Sequence, residues 1–102
     1  NNLSYGVAKS AMNHLAKSLA VLLSPNIRVN VVASGLVTTA RHKFKYTEEQ
    51  YAKTKQTWLS ASLIQDTVDM NSIVDSVVFL ADNNSITGQV LPVCNGAGMH
   101  KI

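Results

Sequence analysis

Two short β-branched runs set what this chain can become. Residues 27–33 (Ile-Arg-Val-Asn-Val-Val-Ala) and 89–94 (Gln-Val-Leu-Pro-Val-Cys) have strand length, strand composition and turn-forming neighbours. A connection this long, with a helical pattern inside it, joins parallel strands rather than a hairpin. Two parallel strands make a poor independent sheet, and parallel sheets are normally covered on both faces and flanked by further strands. Here the inner edge of 27–33 would stay bare. The order helix, strand, loop with short helix, helix, strand therefore reads as α/β, one end of a larger doubly wound parallel sheet.

The helices come from spacing. Ala8, Met12, Leu15, Leu19 and Leu22 recur at helical intervals, predicting a helix over 3–23 with Ser4 able to cap it. Ser24-Pro25-Asn26 ends it, because proline cannot continue a helix. Met70, Ile73, Val74, Val77, Val78 and Ala81 give a second helix, with Asp69 or Asn71 able to cap it. Between them, 40–66 is the least regular stretch. Thr47 with Gln50 fits a capping box, which predicts a short helix from Glu48 to about Trp58. Past Leu59 no period is sustained. Pro92 lacks a donor and places the last strand at a sheet edge.

Composition narrows the class. The 102 residues are 46% hydrophobic and 15% charged, too apolar for disorder, and no run reaches the ~18 apolar residues needed to span a bilayer. One cysteine leaves no internal disulfide and no cysteine-built zinc site. Net charge is +3, from 9 Lys+Arg against 6 Asp+Glu, too mild an excess to mark a nucleic-acid binder by itself. The chain starts at Asn1 rather than methionine. With the bare strand edge, this raises the expectation of a portion of a longer protein.

Tyr5 and Lys9 are four apart on the first helix, hence on one face and one turn apart. An ammonium beside a phenol favours the phenolate, and a tyrosine tuned in this way can act as general acid or base. By spacing alone, two ordinary surface residues explain the pair as well.

Context adds to it. Tyr5-Gly6-Val7-Ala8-Lys9-Ser10-Ala11 opens the helix that leads into Ile27-Arg28-Val29-Asn30-Val31. That strand ends in Gly35-Leu36-Val37-Thr38-Thr39, and Ile86-Thr87-Gly88-Gln89-Val90-Leu91 comes later. This ordered series resembles the C-terminal half of the short-chain dehydrogenase/reductase family. The resemblance implies a Rossmann-type NAD(P)-binding domain, of which 1–102 is the C-terminal portion, with 40–66 as its substrate-loop insertion. It implies an oxidoreductase moving a hydride between NAD or NADP and a carbonyl or alcohol. Tyr5 would be the catalytic acid/base, and Lys9 would bind the nicotinamide ribose and tune the phenol. Gly35 would let the backbone approach the ring, and the Val37 backbone and the Thr39 hydroxyl would hold the carboxamide. The helices at 4–23 and 70–82 match those that commonly pack between subunits, which implies a homo-oligomer.

The sequence departs from the family pattern in places. Ser34-Gly35 stands where Pro-Gly is usual, and Cys94-Asn95-Gly96 where Asp-Gly-Gly is usual. No glycine-rich dinucleotide turn is present, since Gly96-x-Gly98 has no helix to follow. The family's serine would precede Asn1. The 102 residues alone are therefore expected to be inactive. A second reading is a truncated, non-catalytic module that binds full-length subunits.

Other candidates carry less. His14, His42 and His100 are far apart and lack carboxylates at ligand spacing, so no metal is expected. Cys94 reads as a small buried hydrophobe. Asn30 reads as a residue that satisfies nearby backbone. Arg41, Lys43, Lys45, Lys53 and Lys55, interleaved with Phe44, Tyr46 and Tyr51, could stack and contact phosphates, but Glu48 and Glu49 interrupt them. A solvated lid is the better account, and neither nucleic acid nor membrane is expected as a partner. Trp58 and Leu59 beside Tyr51 could line an apolar substrate pocket or pack on the core. The expected location is cytoplasmic by default, and His100-Lys101-Ile102 does not match a peroxisomal Ser-Lys-Leu signal.

Overall fold

In the computed structural model, residues 3–39 and 46–99 are described. They form α1 (Leu3–Leu23), β1 (Val31–Ser34), α2 (Glu48–Ala61), α3 (Met70–Asp82) and β2 (Val90–Val93), in the expected order. The two strands pair with each other. The amide of Val31 donates to the carbonyl of Gln89 at 2.8 Å, and that of Gly35 to Val93 at 2.9 Å. Both strands advance together between these bonds, so the pairing is parallel. Pro92 is exposed on β2, where its missing donor costs no ladder bond.

Each element has a local cause. α1 ends before Pro25, and the amides of Asn26 and Ile27 both close onto the Leu23 carbonyl. Ser4 lies inside this helix rather than at its cap. The capping box of α2 is complete. Gln50 donates its amide to the Thr47 hydroxyl at 3.2 Å, and the Thr47 amide donates to the Gln50 side chain at 3.1 Å. Glu48 and Glu49 sit in its first turn, where the helix dipole favours anions. α2 runs on to Ala61, three residues past the expected end, and Ser62 closes it. α3 starts at Met70, which leaves Asp69 rather than Asn71 at the capping position.

The first strand is shorter than expected, and its start is shifted from Ile27 to Val31. Over Val29 and Asn30, side chains join the backbone pairing: the Gly88 amide donates to the Val29 carbonyl at 2.7 Å, and the remaining bonds run through side chains. The Val29 amide donates to the Thr87 hydroxyl at 3.1 Å, and Gln89 donates its amide to the Asn30 side chain at 3.0 Å. Asn30 returns a bond from Nδ2 to the Ile86 carbonyl at 2.9 Å. β2 is likewise trimmed to four residues from the expected six.

The chain divides into two compact units, Asn1–Val32 with Ser76–Leu91, and Ala33–Asp75 with Pro92–Ile102. In the first, Ala20 and Leu80 are buried. Gly88, at φ +70, faces Ala20, whose Cβ lies 3.6 Å from where a side chain on Gly88 would begin. The Arg28 guanidinium donates to the carbonyls of Leu80, Ala81 and Ile86 at 2.7, 2.6 and 3.2 Å, satisfying the carbonyl end of α3 with a positive charge. In the second unit, Val68 and Ser62 are buried, and Ser62 donates to the Trp58 carbonyl at 2.9 Å. Among the described residues no large side chain is fully enclosed. Val7, Met12, Leu15 and Leu22 on α1, and Val74, Val77 and Val78 on α3, stay more than half exposed. That is the bare apolar surface expected of a parallel pair without further layers.

Candidate active site

The first unit presents Tyr5 and Lys9. Both lie in the opening turns of α1, where the four-residue spacing sets them one above the other. The Lys9 ammonium stands over the Tyr5 ring, with Nζ 5.5 Å from its centroid, within reach of the ring's negative face. Both side chains are exposed, Tyr5 at 59%, so phenol and ammonium are open to a ligand. Gly6 between them has open space where a side chain would stand, so packing does not demand a glycine there.

The second unit presents Gly35, Val37 and Thr39, on the segment that leaves β1. A side chain on Gly35 would start 2.8 Å from the Cα of Cys94, so this position is glycine because β2's end lies against it. Nothing in the sequence around Gly35 signals that packing reason. Val37 forms an isolated parallel bridge with Val68, in which the Val68 amide donates to the Leu36 carbonyl at 2.8 Å. In such a pairing the amide and carbonyl of Val37 itself are turned away from Val68, on the opposite edge. Thr39 is half-buried at the end of the same segment.

A further cluster in this unit carries residues that no motif or spacing singles out for the site. Directly after α2, the amides of Leu63 and Ile64 both donate to the carbonyl of Asn95 at 3.0 Å. The Asn95 side chain donates to the Asp66 carbonyl at 2.7 Å. Asn95 adopts a left-handed conformation, φ 54, and Gly96 comes next at φ 72, a pair of turn residues suited to that backbone. The one available sequence signal was the unusual Cys94-Asn95-Gly96.

The remaining candidates are dispersed. His14 is exposed, and its carbonyl accepts a bond from the Ser18 hydroxyl. Cys94 is half-buried, its thiol 3.9 Å from the Ala97 carbonyl. Among the described residues no group of three or more His, Cys, Asp or Glu could hold a metal, and no helix is long and apolar enough to cross a membrane. Arg41, His42, Lys43, Phe44, Lys45 and His100 lie outside the described residues. Lys53 and Lys55 fall on α2, whose exposed Trp58 is 44% accessible.

Residues 1–98 match the model of a family described as enoyl-(acyl carrier protein) reductase. A tropinone reductase homolog of Arabidopsis thaliana is 34% identical over 97 residues, covering 94% of this chain and 36% of that protein. The short-chain dehydrogenase/reductase homolog YusR of Bacillus subtilis is 31% identical over 96 residues, 94% of this chain and 70% of its own length. Among solved structures, a small-chain dehydrogenase in complex with NADPH superposes with a TM-score of 0.77 at 28% identity, over 86% of this chain and 39% of that one. The chain thus spans little more than a third of two of these proteins and 70% of the third.

Proposed function

This chain belongs to the short-chain dehydrogenase/reductase family, and on that premise we propose that its protein transfers a hydride between NAD or NADP and a small carbonyl or alcohol. The observation that carries the reading is the Tyr5–Lys9 pair, with an ammonium 5.5 Å from the centre of an accessible phenol ring. In the direction of reduction, the Tyr5 hydroxyl gives its proton to the substrate oxygen, and in oxidation it takes that proton back. Lys9 offers three N–H donors to the ribose hydroxyls of the nucleotide. The amide and carbonyl of Val37 and the hydroxyl of Thr39 offer donors and acceptors to a carboxamide, while Gly35 holds this segment close to β2's end. These donor sets fit a nicotinamide nucleotide. When bound, the nicotinamide supplies or accepts the hydride. Segment 40–66 is the part of this chain assigned to the substrate.

Cytoplasmic location belongs to this reading, and the proposed partners are a small carbonyl or alcohol and a second copy of the chain. Val7, Met12 and Leu15 on α1 and Val74, Val77 and Val78 on α3 leave apolar surface for self-association. The same exposed faces favour the second reading, a non-catalytic module that binds full-length subunits.

The test uses the protein as its gene encodes it. Oxidation of NADPH and NADH is followed by absorbance with a panel of ketones that includes tropinone. Turnover is expected, and Tyr5→Phe should lower kcat by about 10²- to 10⁴-fold while leaving cofactor binding in place. Full activity in Tyr5→Phe would remove Tyr5 from the mechanism. Absence of turnover with every ketone and either cofactor would turn the choice to the non-catalytic module. The 102 residues alone, which hold no glycine-rich dinucleotide turn, should give no turnover.

A further inference from the structure

No residue of α2 is fully buried, though the Tyr51 hydroxyl is enclosed and Leu59 is half-buried. The stretch just past the Ser62 cap is tied at two further points. The amides of Leu63 and Ile64 converge on the Asn95 carbonyl at 3.0 Å, and the Asn95 Nδ2 donates to the Asp66 carbonyl at 2.7 Å. One residue thus makes three hydrogen bonds with 63–66. Gly96 lets Leu63 come close, since a side chain there would meet Leu63 at 2.8 Å. Two residues after Asp66, buried Val68 donates to Leu36 and bridges Val37. The same stretch therefore joins the root of α2 to the segment proposed to face the nicotinamide.

We propose that Asn95 is a positioning residue for substrate selection: through 63–66 it sets where α2 stands relative to the Leu36–Val37 backbone. This rests on the reading of 40–66 as the substrate segment. A loosened root lets α2 sample more positions, which weakens substrate binding, while Lys9 and the Val37 backbone keep their hold on the cofactor.

Asn95→Gly tests this cleanly, because glycine keeps the left-handed turn and the backbone carbonyl and removes only the side-chain amide. Asn95→Asp keeps the size but sets an oxygen against the Asp66 carbonyl. In the protein as its gene encodes it, with tropinone or whichever ketone of the panel turns over fastest, both variants should raise the ketone KM about fivefold to tenfold, the worth of one hydrogen bond. The kcat and the cofactor KM should stay within about twofold, and amide hydrogen exchange at 63–66 should quicken by a factor similar to the rise in KM while Val31 is unchanged. An unchanged KM with unchanged exchange at 63–66 would overturn the proposal. So would an equal loss in ketone and cofactor KM with faster exchange at Val31, since that marks a turn needed only for folding. If the unaltered protein reduces no ketone, the oxidoreductase reading fails by itself. Exchange then decides alone: quickening confined to 63–66 keeps Asn95 as the anchor of α2, and its absence overturns that role.

Discussion

Two irregular segments lie beside the strands, and they are held in opposite ways. Residues 27–30 bring their own anchors: Arg28 reaches three carbonyls at the end of α3 and beyond it, and Asn30 bonds Ile86 and Gln89 through its side chain. Residues 63–68 reach Asn95 and Leu36 through backbone groups. Their own Asp66 carboxylate accepts from the neighbouring Thr67 amide at 2.7 Å, and the side chain that ties the segment to the end of β2 is that of Asn95. A segment that carries its own polar anchors can show them in its composition. A segment anchored from outside shows nothing of the kind, and its position depends on a residue that looks like an ordinary turn former.

The contrast can be challenged by substitution, with the largest effect expected at Arg28. Arg28→Ala removes charge-assisted bonds from the partly shielded carbonyls of Leu80 and Ile86 and from the exposed one of Ala81, and should cost ~3 kcal/mol in denaturant unfolding. Arg28→Lys should recover only part of this, because a lysine is a point donor without the fork. Gly35→Ala comes next. Its new Cβ would start 2.8 Å from a backbone atom of Cys94, which cannot swing aside, so ~2 kcal/mol is expected by thermal unfolding. Thr47→Ala should be the mildest, ~1 kcal/mol, seen as faster exchange in the first turn of α2 with β1 and β2 unaffected. If Thr47→Ala proved costlier than Arg28→Ala, the side-chain clamp on α3 would not be what holds 27–30.

Much of the fold is legible in the sequence where the cause is local. α1 and α3 are visible because their apolar residues repeat at helical spacing, and α2 because a capping box needs only two residues three apart. Tyr5 and Lys9 are visible for the same reason, since a helix converts their spacing into proximity. The start of β1 is misread because Ile27 and Val29 look like strand, while the Val29 amide goes to the Thr87 side chain and the Ile27 amide to the Leu23 carbonyl rather than to a strand partner. Gly35 is expected to serve a ligand's approach, and the structure adds a neighbour that excludes any side chain. Asn95 stands out only as a departure from a pattern, because its side-chain partner lies 29 residues away.

Periodicity, the length of chain between strands and local stop signals were enough for the order of elements, the parallel sense of the strands, the turn-apart pair on α1 and the apolar helix faces. None of these needs a distant partner. Tertiary structure was required to show where β1 begins, why position 35 admits no side chain, and which residue holds the root of α2. Those outcomes depend on hydrogen bonds and close contacts between residues far apart in the chain. Backbone amides and carbonyls are the same at every position, so which of them meet is settled only when the chain has folded.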